Sequence, residues 1–233
     1  MPSPFILAIE TSQRQGGVAV QGSSGDIHTE SLQPGGRHSD DLIPAIDRLM
    51  ASAGRTFEDV AAVAVSIGPG GFTGLRIGIT TARMIAEVRG VGVIPVPTAV
   101  VVADRIDGHG PILVALASKR ESCWVTRFGR GGDDHWMMTG TPGAVTETTI
   151  DLTGVHLLVG DEHLPAGIRA RCEQAGVPVL PPTFDPAACL HVAQRMWSRD
   201  PGVAVDPAAV MPLYAREPEA VALWRGRSAD GVR

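Results

Sequence analysis

Cysteine is scarce in this sequence: Cys123, Cys172 and Cys189 are odd in number, far apart and form no C-x-x-C pair. Neither a disulfide framework nor a zinc site is indicated, and a reducing, cytoplasmic setting is expected. Grouped basic residues are missing too. A formal net charge of -5 with no run of Lys or Arg argues against this chain as a main nucleic-acid surface, because neutralising phosphates requires clustered cations. No segment approaches the roughly 20 apolar residues of a membrane span. The N-terminus reaches Glu10 without a basic n-region or a long apolar core, so neither insertion nor secretion is expected. His28, His38, His109, His135, His156, His163 and His191 contain no i, i+4 pair, which leaves sequence-local metal ligation unsupported.

What is present is a globular composition. At 233 residues, with 44% hydrophobic and 19% charged side chains, the chain can bury a proper core as one large domain or two lobes. The 28 glycines and 18 prolines imply short elements and tight connections.

The order of those elements is legible in the hydrophobic pattern. Phe5 to Glu10 and Gly17 to Gln21 read as antiparallel strands, and Ile27 to Leu32 supplies a third after the turn at Ser24-Gly25-Asp26. Ser39 is placed to cap a helix carrying Leu42, Ile46, Leu49, Met50 and Ala53, closed by Gly54. Thr56 and Asp59 resemble a capping box, and Val60 to Ile67 reads as a buried strand. A helix from Gly74 to about Arg89, a strand from Val91 to Val96 and a helix capped by Thr98 and running through Val101, Val102 and Ile106 follow. At Pro111 the series restarts. Ile6-Leu7-Ala8-Ile9-Glu10-Thr11-Ser12 and Leu113-Val114-Ala115-Leu116-Ala117-Ser118-Lys119 share a strand-to-polar-turn shape, which suggests a duplicated lobe. Strands at Trp124 to Phe128, Val155 to Val159 and Val177 to Leu180, a helix from Leu164 to Ala175, and a final helix capped by Asp185 complete the reading. Beyond Tyr214 a mobile tail is expected.

The densest signal is Ser66-Ile67-Gly68-Pro69-Gly70-Gly71-Phe72-Thr73-Gly74-Leu75-Arg76-Ile77-Gly78-Ile79, a strand leading into a helix through glycines. It is not a P-loop, since no lysine is there to carry phosphate charge. Nor is it a dinucleotide fingerprint, because Thr73 stands where the third glycine belongs. What survives is a helix N-terminus with backbone N–H groups able to attract an anion. Arg76 in the first helical turn opposes the helix dipole, so an anionic partner is expected for it, either a carboxylate of this chain or something bound. Gly74, Gly78, Ala82 and Ala86 lie four apart and make a stripe of the smallest side chains, which allows close approach by the first helix of this chain or by a helix of another. A serine-peptidase reading fares poorly: Ser66 lacks the G-x-S-x-G elbow, and Ser12 and Ser118 are read as hydrogen-bonding turn backbone.

Gly68 to Gly78 resembles the signature of the TsaB (YeaZ) family of bacterial tRNA threonylcarbamoyladenosine biosynthesis proteins. Ile6 to Ser12, His38-Ser39-Asp40-Asp41-Leu42-Ile43-Pro44 and Pro212-Leu213-Tyr214-Ala215-Arg216 support the resemblance. It covers the first hundred residues well and the second half thinly. It implies an α/β fold of the actin-like, sugar-kinase-like (ASKHA) type, with two lobes of mixed β-sheet, flanking helices and a reduced second lobe. The lobes expected are 1–98, carrying the partner-binding helices, and 99–215, whose last helix can return to the first; 216–233 is the tail.

The resemblance further implies a non-catalytic scaffold that pairs with the catalytic subunit TsaD, with TsaE as the associated ATPase, in modifying the tRNA adenosine beside the anticodon. ATP and a metal are then expected in the partner subunits and no cofactor in this one, tRNA is reached only through the complex, and a homodimer can form when the partner is absent. The catalytic relative carries a H-x-x-x-H pair where Pro97 to Asp104 here has no histidine, and the lobe echo sets Ala117 opposite Glu10 where active kinase-like clefts carry paired carboxylates. Leu42, Ile46, Leu49, Gly74, Gly78 and Ala82 are the expected partner contacts, with the helix face of Ile77, Thr81 and Ile85 as the alternative. Glu10, Thr11, Gly70, Gly71 and Arg76 are the expected anion or nucleotide contacts. The competing reading is a nucleotide-binding or weakly hydrolysing kinase-like enzyme of the same fold, with Glu10 as metal ligand.

Overall fold

The computed structural model describes residues 4–33, 38–132 and 135–215. The tail expected at 216–233 lies outside the described residues.

Alternating apolar residues build the first sheet. Its strands β1 (Ile6–Glu10), β2 (Gly17–Gln21), β3 (Ile27–Ser31), β4 (Ala62–Gly68) and β5 (Gly92–Pro97) lie in the order β3-β2-β1-β4-β5. The first three form an antiparallel meander, whereas β4 and β5 join in parallel after crossover helices. Strand periodicity sends Leu7, Ile9, Val63 and Val65 to one face, where α1 (His38–Ser52) and α2 (Phe72–Arg89) cover them. Ile6, Ala8, Ala62 and Ala64 point to the other face, against α3 (Thr98–Ala103) and α5 (Pro186–Arg199). Both faces of β1 and β4 are therefore buried, which explains their unbroken apolar runs.

The second sheet repeats the plan. Strands β6 (Ile112–Lys119), β7 (Ser122–Arg130), β8 (Trp136–Met138), β10 (Leu157–Gly160) and β11 (Val179–Leu180) lie in the order β11-β10-β6-β7-β8, and β9 (Gly143–Thr146) also pairs with β7. Antiparallel and parallel joins fall in the same sequence as in the first sheet, with β6 taking the place of β1. The repeated strand-and-turn shape in the sequence thus corresponds to a repeated topology. Helix α4 (Ala166–Gln174) packs Ile168 and Cys172 on one face, and α3 brings Val102 and Ala103 to the other.

Three local expectations need correcting, and two short strands had none. Helix α2 begins at Phe72, with Gly71 as its N-cap, two residues before Gly74. Helix α3 is capped by Pro97 and stops at Ala103 before reaching Ile106; the Thr98 hydroxyl instead accepts the Gly68 N–H at 3.1 Å. Helix α4 starts at Ala166 rather than Leu164, since Pro165 takes the cap position. Strands β8 and β9, three and four residues long, have no apolar alternation to announce them and are held by pairing to the nine-residue β7. At α5 the cap reading holds: Asp185 Oδ1 accepts the Ala187 N–H at 2.8 Å.

Candidate functional site

The end of β1 is where the glycine loop, α2 and α5 meet, and strand alternation decides which side chain goes where. Glu10 continues the Ile6, Ala8 face toward α5, while Thr11 continues the Leu7, Ile9 face toward α2. Parallel register pairs Ile9 with Val65, so Ser66 falls beside Glu10.

Glu10 is fully buried. Its Oε1 accepts the Ser12 N–H at 2.7 Å, and its Oε2 accepts the Ser66 hydroxyl in a short hydrogen bond. Burial pushes the carboxyl above its usual range; the two serine donors pull it back in part, and Asp185 adds to the rise. Cys189 on α5 is also fully buried and donates weakly to Ile9 O at 3.9 Å. Desolvation, with the Glu10 charge second, raises its thiol well above the ordinary value. Glu10 is thus a clasp between β1, β4 and the following turn, enclosed by protein on every side. Of the expected anion or nucleotide contacts, Glu10 therefore has both carboxylate oxygens hydrogen-bonded within the chain.

Thr11 and the glycines form a second closed set. The Thr11 hydroxyl donates to Gly74 O at 2.9 Å, and Gly78 sits so close that a Cβ there would overlap Thr11 Oγ1. The Gly71 N–H donates to Ser12 O at 2.7 Å, and a Cβ at Gly70 would overlap the same carbonyl. The loop is glycine-rich because it lies directly on the turn after β1. The serine reading is corrected as well: Ser12 holds the loop through its backbone, and its buried Oγ and that of Ser118 have no hydrogen-bond partner among the described residues.

Among the described residues, Arg76 meets no carboxylate. Its Nε donates to the Tyr214 hydroxyl at 3.1 Å, and its guanidinium lies 3.9 Å from the centroid of the Phe72 ring. Phe72 and Tyr214 stack at 5.3 Å. Just upstream, the Leu213 N–H donates to Ile67 O at 2.7 Å, so the segment approaching residue 215 is strapped across the glycine loop.

The expected partner contacts point inward. Leu42, Ile46, Leu49, Gly78 and Ala82 are buried in the core under the first sheet, and Gly74 is half-buried against Thr11. The small stripe is small because α2 lies tightly on β1 and β4. Of the alternative face, Thr81 and Ile85 are buried and Ile77 half-buried. The outward face is a third one, on which Phe72, Met84 and Val88 are 44%, 51% and 81% exposed. With Arg76 and Thr80 they make a ridge at i, i+4 spacing, and Ile43 of α1 is exposed as well.

A sequence family described as TsaD, tRNA N6-adenosine threonylcarbamoyltransferase, matches residues 33–135. The Escherichia coli tRNA threonylcarbamoyladenosine biosynthesis protein TsaB is 27% identical over 226 residues, covering 91% of this chain and 94% of its own length. An uncharacterized Mycobacterium tuberculosis protein is 30% identical over 185 residues, 78% of this chain and 77% of its own. The solved structure of YeaZ from Pseudomonas aeruginosa superimposes with a TM-score of 0.76 at 22% identity, over 90% of this chain and all of that one. The chain belongs to the TsaB (YeaZ) family.

The superposition on YeaZ shows a shared fold, in which two sheets of matching topology carry flanking helices. Ala117, set against Glu10 by the lobe echo, has φ 52° where β6 and β7 lose register. No group of three or more His, Cys, Asp or Glu among the described residues is arranged to hold a metal. No helix among them is long and apolar enough to cross a membrane. Sequence reasoning missed Ser66 as the partner of Glu10, the Phe72–Tyr214 stack and the outward ridge of α2. The ridge had a signal: Phe72, Met84 and Val88 are the large apolar residues at multiples of four, out of phase with the small ones.

Proposed function

We propose that this chain serves threonylcarbamoyladenosine formation on tRNA as a non-catalytic subunit that pairs with a TsaD-type transferase through the outward ridge of α2. One observation carries the reading. The Phe72, Met84 and Val88 side chains stand exposed on a helix whose other faces are buried, and an i±4 ridge is the surface that fits the groove of another helix. The closed clasps around Glu10 and Thr11 support the same reading, because the residues that would face a nucleotide are already paired within the chain. TsaE and the tRNA are reached through the transferase, and the ATP and metal chemistry belongs to those subunits.

The test is a titration of this chain against the TsaD-type protein of the same cell. Met84→Asp is expected to weaken pairing by about tenfold or more, the scale of an interface hot spot, while leaving the melting temperature within a degree or two. Unchanged pairing in both Met84→Asp and Val88→Asp would overturn the proposed surface. Saturable binding of ATP and magnesium by the isolated chain, lost in Glu10→Gln, would instead support the kinase-like reading.

A further inference from the structure

We propose that Arg76 binds a carboxylate of the TsaD-type partner through the two Nη groups of its guanidinium, and that Tyr214 is the positioning residue that aims it. The inference rests on the reading that the outward ridge of α2 is the pairing surface, and it names the charged contact within that surface. Arg76 is exposed between Phe72 and Thr80 on the ridge, yet its side chain is held on two sides. The guanidinium lies over the Phe72 ring, 3.9 Å from its centroid, and Nε donates to the Tyr214 hydroxyl at 3.1 Å. Its Nη groups make no hydrogen bond or ion pair among the described residues. A carboxylate meets an arginine with two parallel N–H bonds, either at the Nε side or at the Nη end. Tyr214 closes the first approach, and the second stays open.

Tyr214 is itself fixed from below. The Leu213 N–H donates to Ile67 O at 2.7 Å, and Gly68, at φ 110°, lies so close to Leu213 O that a Cβ would overlap it. The Tyr214 ring then stacks on Phe72 at 5.3 Å. A backbone bond and an aromatic stack thus hold this segment without any charge. The charge on Arg76 needs another reason, because a cation so near the start of α2 opposes the helix dipole.

Two features select a carboxylate of a protein over a phosphate of nucleic acid. Along the ridge Arg76 is flanked by Phe72, Thr80, Met84 and Val88 rather than by further cations at the same spacing, and phosphate backbones are bound by clustered positive charge. An aromatic and apolar ridge around an ordered guanidinium is instead the composition of a protein interface, where arginine and aromatic residues are enriched. A fork already held in place also loses less freedom on binding than a free arginine does.

The test uses the full chain with the TsaD-type protein of the same cell. Arg76→Lys places an amine on the ridge, and the only lysine of the natural sequence, Lys119, lies at the end of β6 in the second sheet. A carbodiimide condenses an amine with a carboxylate in contact with it to an amide, the reagent taking up the water as its urea. A cross-link from position 76 to an Asp or Glu of the partner is expected, and none from that position in the natural chain. In titrations, Arg76→Gln is expected to weaken pairing by about tenfold. Tyr214→Phe keeps the stack but frees Nε, and is expected to weaken pairing by roughly threefold, the scale of ordering one long side chain. In the Arg76→Gln background Tyr214→Phe is expected to add nothing.

Pairing unchanged by Arg76→Gln, or a cross-link from position 76 only to a carboxylate of this chain, would overturn the proposed contact. Equal weakening by Tyr214→Phe in both backgrounds would overturn the positioning role, since Tyr214 would then act without Arg76. Pairing lost in Met84→Asp and Val88→Asp yet intact in Arg76→Gln would leave the ridge as the pairing surface and sink the carboxylate contact alone. Absence of pairing by the natural chain would sink both.

Discussion

Glu10 shows how one residue can carry the look of a catalytic group while serving the fold. An acidic side chain at the end of the first strand invites a ligand reading, and nothing in its sequence neighbours says that Ser66, 56 residues away, will close over it. The pairing comes from parallel register, which is a tertiary fact. The chemistry has a pH signature. Burial raises the Glu10 carboxyl above its ordinary 4.5, so the native state holds this proton more firmly than the unfolded chain. Its stabilising effect is complete below 4.5 and is lost as pH rises through the native value. Asp41 runs the other way: the Gln33 N–H holds its carboxyl below its ordinary 3.8, and its contribution is lost as pH falls. Subtracting stability curves of Glu10→Gln from those of the natural chain isolates the Glu10 part. The Gln variant, which Ser66 can accommodate by reversing its hydroxyl to accept from the amide, is expected to gain relative stability from acid to neutral pH as the natural chain loses the Glu10 contribution. A flat difference between pH 4 and 8 would show that the Glu10 proton is unaffected by folding.

At the scale of elements, the order of strands and helices was legible because periodicity and turn residues are local signals. Helix α2 was readable as a helix, but which face met what was not. The spacing of Gly74, Gly78 and Ala82 established only that something approaches closely; the identity of the neighbour depended on how the helix lies on β1. That neighbour is Thr11. Replacing Gly78 therefore probes the core. Gly78→Ala gains about 1 kcal/mol of helix propensity. Against this stand overpacking, on the order of 1–3 kcal/mol, and the weakened Thr11 to Gly74 hydrogen bond, about 1 kcal/mol. A net loss of roughly 1–3 kcal/mol is expected from urea unfolding. Adding Thr11→Ala removes the obstructing oxygen, so the double variant is expected to lose less than the sum of the singles. Strict additivity would mean that Gly78 is small for some other reason. The short strands β8 and β9 escaped reading for a related cause: their pairing to β7 is non-local, and no local pattern encodes it.

At the scale of the molecule, the two sheets look separable but are joined by shared helices. Val101 of α3 belongs to the core under the first sheet, whereas Ala99, Val102 and Ala103 of the same helix pack with Leu116, Phe128 and Trp136 of the second. Helix α5 comes after the whole second sheet in sequence, yet buries Cys189, Leu190 and Ala193 against the first. It is tied to the end of α3 by Arg195 on Asp104 and by Arg105 on Asp185. The first sheet is incomplete until the second has been passed, so the first half has no closed core without α5. One cooperative unit follows. Leu190→Ala, at a fully buried site in α5, is expected to cost about 2–5 kcal/mol. In native-state hydrogen exchange the slowest amides of β6 and β7, such as Val114 and Val125, should lose protection by the same factor as those of Ala8 and Ala64, because all exchange through one global opening. Retained protection in β6 and β7 would show that the second lobe stands without α5. The shared helices would then be a hinge between two independent halves.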